Sequence, residues 1–356
     1  MTDLTSVQLL QKLISFDSTS RNSNLPLIDF VQQYLEDHGI KSRRVDYEKD
    51  NKTNLYATIG PDIEGGIVLS GHTDVVPVDG QDWSNDPFDM VERDGRLFGR
   101  GACDMKGFIA VALAAVPKFK NGNLKTPIHL AFSCDEEVGC AGVRPLIDHI
   151  IDELPHPGAV IVGEPTSMQV VNGHKSANRF RTTITGHEAH SSCTHLGVSA
   201  ILTAGEMLSE IGRIAEDYRR RGDPSGRFDP PYTTVQVGMI EGGTANNIIP
   251  GHCNIDWESR MLPNHQVEEL TERIEAFGKT LEPAMKAISP DAGIKTTLEN
   301  SIPGLAPHEG SPLEVLTLNL AQANSTSAVS YGTEAGLFQL AGIPAIVCGP
   351  GSIEQA

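Results

Sequence analysis

The sequence of 356 residues has no run approaching the ~18 consecutive apolar residues of a membrane-spanning helix, so no helical span is expected. Its six cysteines (Cys103, Cys134, Cys140, Cys193, Cys253, Cys348) form no C-x-x-C pair, which argues against a zinc ribbon or a disulfide framework. Reduced thiols in a cytoplasmic protein are the simplest account of them. Positive charge is scarce. With 28 Lys and Arg against 46 Asp and Glu, the formal net charge is -18. Such a balance repels phosphodiesters and anionic membrane surfaces, so neither nucleic acid nor membrane is expected as a partner, and it favours a small cation or metal as guest. The N-terminus lacks the basic region of a signal peptide and instead carries Leu4, Val7, Leu10, Leu13 and Ile14 at helical spacing. There is no internal repeat and no low-complexity segment.

The length exceeds one typical core, and two domains are the natural reading. After two amphipathic helices, the second closed by Gly39, strand-like runs alternate with helical ones: "TNLYATIG", "GGIVLSGH", "GFIAVALAAVPKF", "PIHLAFSCDEE", "GVRPLIDHII", "GAVIVGEP". That alternation predicts an α/β domain with a mainly parallel twisted sheet covered by helices on both faces. Near residue 178 the texture changes to a β-α-β-β-α order, a smaller inserted α+β domain, before "GIPAIVCGPG" returns to the buried-strand style. The expected boundaries are 1–177, 178–288 and 289–356. The segment "RRRGDPSGRFDPPY" reads as a surface loop.

Acidic and histidine residues follow the apolar runs: His72 and Asp74 in "SGHTDVVP", Asp104 in "GRGACDMKG", Asp135, Glu136 and Glu137 in "CDEEVG", and Glu164 in "VGEP". Parallel sheets bring their C-terminal strand ends to one crevice, so these groups are expected to meet. Clustered carboxylates repel one another unless a cation neutralises them, and one or two zinc ions accept such mixed ligands while leaving a position for water. One of two adjacent glutamates can ligate while its neighbour acts as general base. Any one of these acids alone reads as an ordinary surface group or helix cap; the set carries the argument. His190 in "GHEAHSS", Asn246 in "GGTANNIIP" and Arg260 in "ESRML" stay open between a functional role and a turn, a strand end and a surface charge.

In order and spacing, these motifs resemble the di-zinc metallopeptidase family that contains acetylornithine deacetylases, succinyl-diaminopimelate desuccinylases, aminoacylases and glutamate carboxypeptidases. The resemblance covers nearly the whole chain. It implies a catalytic domain with two zinc ions, cobalt or manganese also suiting the ligands, and a smaller lid domain that forms a homodimer. It further implies that His72, Asp104 and Glu164 hold one metal, with Asp104 bridging to a second held by Glu137. Glu136 is then the general base and acid, Asp74 orients His72 by a hydrogen bond, and His190 stabilises the oxyanion from a partner subunit. Asn246 and Arg260 would bind the carboxylate of a small N-acyl amino acid. The segment "SYGTEAGLFQLAGIPAIVCGPGSIEQA" resembles the deacetylase branch, which makes Glu334, with Thr333 beside it, a candidate partner for a cationic substrate side chain; a helix-start acid is the competing account of Glu334. In the family a metal-ligating His follows this "GPG" loop, and with the sequence stopping at Ala356 the resemblance implies an incomplete second metal site. A broader N-acyl amino acid hydrolase, a succinyl-diaminopimelate desuccinylase and a binding protein without turnover are the alternative readings.

Overall fold

The computed structural model describes residues 3–47 and 51–355. Ala356, beside which the last metal ligand was expected, lies outside them. The chain divides into a larger unit of 1–172, 307–327 and 333–356 and a smaller one of 173–306 and 328–332.

The larger unit opens with α1 (Ser6–Ile14), started by a capping box in which the Thr5 side chain accepts from the Gln8 amide and the Gln8 side chain from the Thr5 amide. There follow α2 (Leu25–Asp37), β1 (Ser42–Tyr47), β2 (Lys52–Ile59), β3 (Ile67–His72), the β4 (Val91–Arg93) and β5 (Arg96–Phe98) hairpin, and α3 (Lys106–Asn121). Next come β6 (Ile128–Ser133), α4 (Val143–Glu153), β7 (Ala159–Val162) and β8 (Val170–His174). The smaller unit contributes β9 (Ala177–Thr185), α5 (Ala200–Arg221), β10 (Thr234–Gly242), β11 (His252–Arg260), α6 (Val267–Lys286) and β12 (Gly293–Ile302). The chain then adds α7 (Pro312–Ala321), β13 (Thr326–Val329), α8 (Ala335–Leu340) and β14 (Ala345–Val347).

Eight strands form one sheet in the order β1-β2-β6-β3-β7-β14-β8-β13. The four central strands, β6, β3, β7 and β14, are parallel, while β1, β2 and β8 pair antiparallel on the flanks. Central strands are buried along nearly their whole length, as Val160, Ile161 and Val162 of β7 are, because helices cover both faces. Leu9, Leu13, Leu27, Ile28 and Leu35 of α1 and α2, with Ile109 and Leu113 of α3, pack with Leu55, Leu130 and Phe132 of the sheet. Each such side chain contributes about 1.5–3 kcal/mol by leaving water.

The smaller unit is a four-stranded antiparallel sheet, β10-β11-β9-β12, with α5 and α6. β9 alternates buried and exposed positions, as a one-sided sheet requires. Its Phe180 stacks on Trp257 with ring centroids 4.1 Å apart and an interplanar angle of 9°. Two expectations need correction. The inserted domain was expected to end at 288, but β12 pairs with β9 from Gly293 opposite Thr185 to Ile302 opposite Ala177, and so belongs to the smaller unit. That pairing is long-range, and local pattern carries no trace of it. The segment expected as a simple surface loop is pinned: buried Lys175 donates to the Pro230 and Tyr232 carbonyls at 2.7 Å each. The Asp223 carboxylate also accepts from the backbone amides of Ser225, Arg227 and Phe228.

Candidate active site

β3, β6 and β7 run parallel, β3 and β6 ending side by side and β7 opposite Ser70 two residues earlier, so the loops that follow them share one edge of the sheet. His72 is the last residue of β3 and is 1% exposed. Its Nδ1 donates to the backbone carbonyl of Asp74 at 2.8 Å, which turns Nε2 toward Asp104 Oδ1 at 2.9 Å and Glu164 Oε1 at 3.9 Å. Asp104 immediately precedes α3, across a cis peptide bond to Met105. Glu164 follows β7 after Gly163, where a Cβ would lie 2.0 Å from the Phe108 ring; glycine is what lets the strand end approach α3.

Asp74 acts differently from expectation. Its carboxylate was expected to orient His72, yet Oδ1 stands 3.6 Å from Nδ1 and the backbone carbonyl does that work. The carboxylate is engaged elsewhere: Oδ1 accepts from the Glu136 amide at 3.1 Å, and Oδ2 from the Glu137 amide at 3.3 Å and from Ser20 Oγ at 2.7 Å. It therefore fixes the turn that presents both glutamates. Asp135 occupies that turn at φ 54°, its carboxylate ion-paired with buried Lys52 at 2.5 Å. The thiol of Cys140 donates to Glu136 Oε1 at 3.2 Å.

Two groups of donor atoms lie within 4.8 Å of one another: those of His72, Asp104 and Glu137, and those of His72, Glu136 and Glu164. Burial pushes the Glu136 carboxyl up to about 8 and that of Glu137 to about 7, with neighbouring carboxylates adding to the rise. Glu164 is raised well above the usual range by burial and by Asp104. Burial opposes protonation of His72, but the hydrogen bond and charge of Asp104, with Glu164 and Glu136, outweigh it and hold the imidazole well above its ordinary pKa. Burial would raise Asp104; the hydrogen bond and charge of His72 hold it lower than usual. Left alone, the cluster can only balance itself with protons. One imidazole nitrogen among several carboxylate oxygens, dry and short of positive charge, fits a divalent metal.

Glu334 and Thr333 also lie in the larger unit, but beneath this edge. Glu334 is fully buried at the start of α8, with its two carboxylate oxygens accepting from Ser70 Oγ at 2.6 Å and Ser133 Oγ at 2.9 Å. Those bonds occupy the carboxylate expected to meet a substrate side chain. Thr333 accepts the Ala335 amide at 3.1 Å, a helix-start contact. The remaining candidates belong to the smaller unit. His190 is exposed and hydrogen-bonds Ser192 Oγ at 2.7 Å; its strand segment bridges Ile248, which places it beside the exposed turn of Asn246. Arg260 sits at the other end of β11, paired with Glu258 at 3.3 Å. From Cys253 to Arg260 the strand runs about 23 Å at ~3.3 Å per residue, so Asn246 and Arg260 of one copy do not share a small carboxylate. Sequence reasoning missed Ser20, Ser70, Ser133 and Cys140. Ser70, two residues before His72 on the same strand face, was the one with a readable signal.

An α/β sheet with one histidine and four acidic residues gathered where its parallel strands end suits a metal-dependent hydrolase, and the family to which the chain is matched is of that class. The chain belongs to Peptidase family M20/M25/M40, whose family model matches residues 68–356. It is 36% identical to an acetylornithine deacetylase of Myxococcus xanthus, over 98% of this chain and 89% of that protein. With an acetylornithine deacetylase of Pasteurella multocida the identity is 34%, over 96% and 87%. Among solved structures, aminopeptidase PepT of Bacillus cereus superposes with a TM-score of 0.75 at 21% identity, covering 98% of this chain and 90% of that one. An M20 family metallo-carboxypeptidase of Sulfolobus solfataricus gives 0.74 at 17%, covering 98% and 91%. These two share the fold.

Proposed function

We propose that this chain hydrolyses N2-acetyl-L-ornithine to L-ornithine and acetate. The observation that carries the reading is the convergence of His72, Asp104, Glu136, Glu137 and Glu164 in a chain matching deacetylases along nearly its full length. His72, Asp104 and Glu164 would hold one metal ion, and Asp104 with Glu137 a second, zinc being the ion we assign. When bound, the metal supplies Lewis-acid polarisation of the amide carbonyl and makes water more acidic.

The residues of the chain do the rest. Glu136, presented by the Asp74-capped turn, accepts a proton from the attacking water as its oxygen adds to the acetyl carbon. When the C–N bond breaks, Glu136 returns that proton to the departing amine, leaving acetate and ornithine. Burial of Glu136 raises its basicity into the range a base needs at neutral pH. His190, Asn246 and Arg260 would hold the oxyanion and the substrate carboxylate. Because Asn246 and Arg260 stand at opposite ends of one small sheet, their joint use needs two copies, which supports a homodimer through the smaller unit and His190 acting from the partner subunit. We place the enzyme in the cytoplasm; six free cysteines and the absence of any membrane-length apolar helix among the described residues fit that location.

The deciding experiment measures metal content and hydrolysis of N-acetylornithine, N-acetylmethionine and succinyl-diaminopimelate. Highest kcat/KM on acetylornithine, lost with chelator and regained with zinc, is the expected result. Equal rates on the acetyl amino acids would replace the proposal with a broad N-acyl amino acid hydrolase; metal binding without turnover of any substrate would replace it with a binding protein. For the dimer, mixing Glu136→Ala and His190→Ala chains is expected to restore activity, and no rescue in verified mixed dimers sinks the cross-subunit role.

A further inference from the structure

Glu334 is more deeply buried than Asp104, Glu136, Glu137 or Glu164, yet none of the hydrolytic steps uses it. Its place follows from the ladder. In the β3–β6 pairing, His72 stands opposite Ser133 and Ser70 opposite Ala131. Residues two apart on a strand share a face, and directly paired residues do too, so Ser70, Ser133 and His72 project from the same face of the sheet. The Glu334 carboxylate spans the two serines at 2.6 and 2.9 Å, tying β3 to β6 just before both strands enter the site. A carboxylate held this way by two hydroxyl donors, with 0% exposure, is engaged before any substrate arrives.

We propose that Glu334 is a positioning residue of the metal site: its buried carboxylate locks Ser70 and Ser133 and so sets the relative placement of His72 and the Glu136–Glu137 turn. This rests on the metal-dependent reading of the site above. It replaces direct contact between Glu334 and the side chain of the substrate. Removing an outer partner of a metal site lowers metal affinity about 10–100-fold, and Glu334 falls in that range.

The test is calorimetric titration of zinc into metal-free wild type and Glu334→Gln, each checked for folding by circular dichroism, together with kcat/KM on acetylornithine and acetylmethionine. The expected result is zinc affinity weaker by about 10-fold or more, with the ratio of the two kcat/KM values unchanged. Unaltered affinity with a collapsed ratio overturns the proposal in favour of substrate contact; unaltered affinity and ratio reduce Glu334 to a helix cap. If Glu334→Gln does not fold, the Ser70→Ala, Ser133→Ala double variant decides: a several-fold loss of zinc affinity supports the role, and wild-type affinity overturns it. Failure of the wild type itself to bind zinc, cobalt or manganese sinks the metal reading, an outcome distinct from these.

Discussion

His72 and His129 lie on neighbouring parallel strands of one sheet, both 1% exposed, and they behave in opposite ways. At the C-terminal end of β3, His72 is surrounded by Asp104, Glu164 and Glu136 and takes up a proton readily. At the N-terminal end of β6, His129 has the Tyr56 hydroxyl at 2.5 Å and Thr58 Oγ1 at 3.0 Å, and burial holds its pKa below the ordinary value. Burial is the same; the difference is which loops converge. β3, β6 and β7 each feed an acidic loop on the His72 side, and a buried cluster of like charge demands a cation. His129 meets neutral hydroxyls at Nδ1 and has no acidic cluster around it, so nothing there calls for a cation.

The comparison breaks most visibly by mutation. His72→Ala or Asp104→Asn is expected to abolish stoichiometric metal binding and to cut kcat/KM by at least about 10³-fold, whereas His129→Gln leaves both near wild type and lowers stability by about 1–3 kcal/mol. Metal analysis beside denaturant titration reads both sides. Next in size, Glu136→Gln is expected to lower kcat by about 10²–10⁴-fold while the chain still binds metal; retention of kcat would remove Glu136 from the role of base.

A pH effect sharpens the contrast. In the metal-free fold, Glu136 titrates near 8 and Glu137 near 7, against 4.5 for an unperturbed glutamate. Between those values the folded chain binds more protons than the unfolded one, so stability falls as pH rises through that window. His72, also raised, acts in the same direction. Lys106, lowered to about 7 by burial, acts oppositely but only above that pH. Thermal melts of the metal-free protein from pH 5 to 7 are expected to decline, and saturating zinc, which displaces those protons, is expected to flatten the decline. A flat metal-free profile would contradict the charge picture. The smallest effect belongs to the quiet end of the sheet: Tyr56→Phe removes the hydroxyl beside His129 and is expected to cost about 1 kcal/mol, with metal content unchanged.

Much of the fold was legible. Apolar runs such as "GAVIVGEP" and amphipathic runs such as "GVRPLIDHII" carry their periodicities locally, so the α/β alternation and the acidic strand ends could be read in order. β12 was not legible as part of the smaller unit, because its membership rests on pairing with a strand more than a hundred residues earlier. Nor were the antiparallel flanks, where strand order is set by which edges the helices leave open.

The sequence by itself determined the residue types of the site and their placement after buried strands, since hydrophobic pattern and the position of polar residues within it are local properties. Only the tertiary structure decided what each does. Asp74 gives its carboxylate to the turn amides of Glu136 and Glu137 and its backbone carbonyl to His72. Glu334 lies under the site because Ser70 and Ser133 meet it across two strands. Hydrogen-bond partners far apart in the chain depend on strand register, and register is fixed by the packing of the whole sheet.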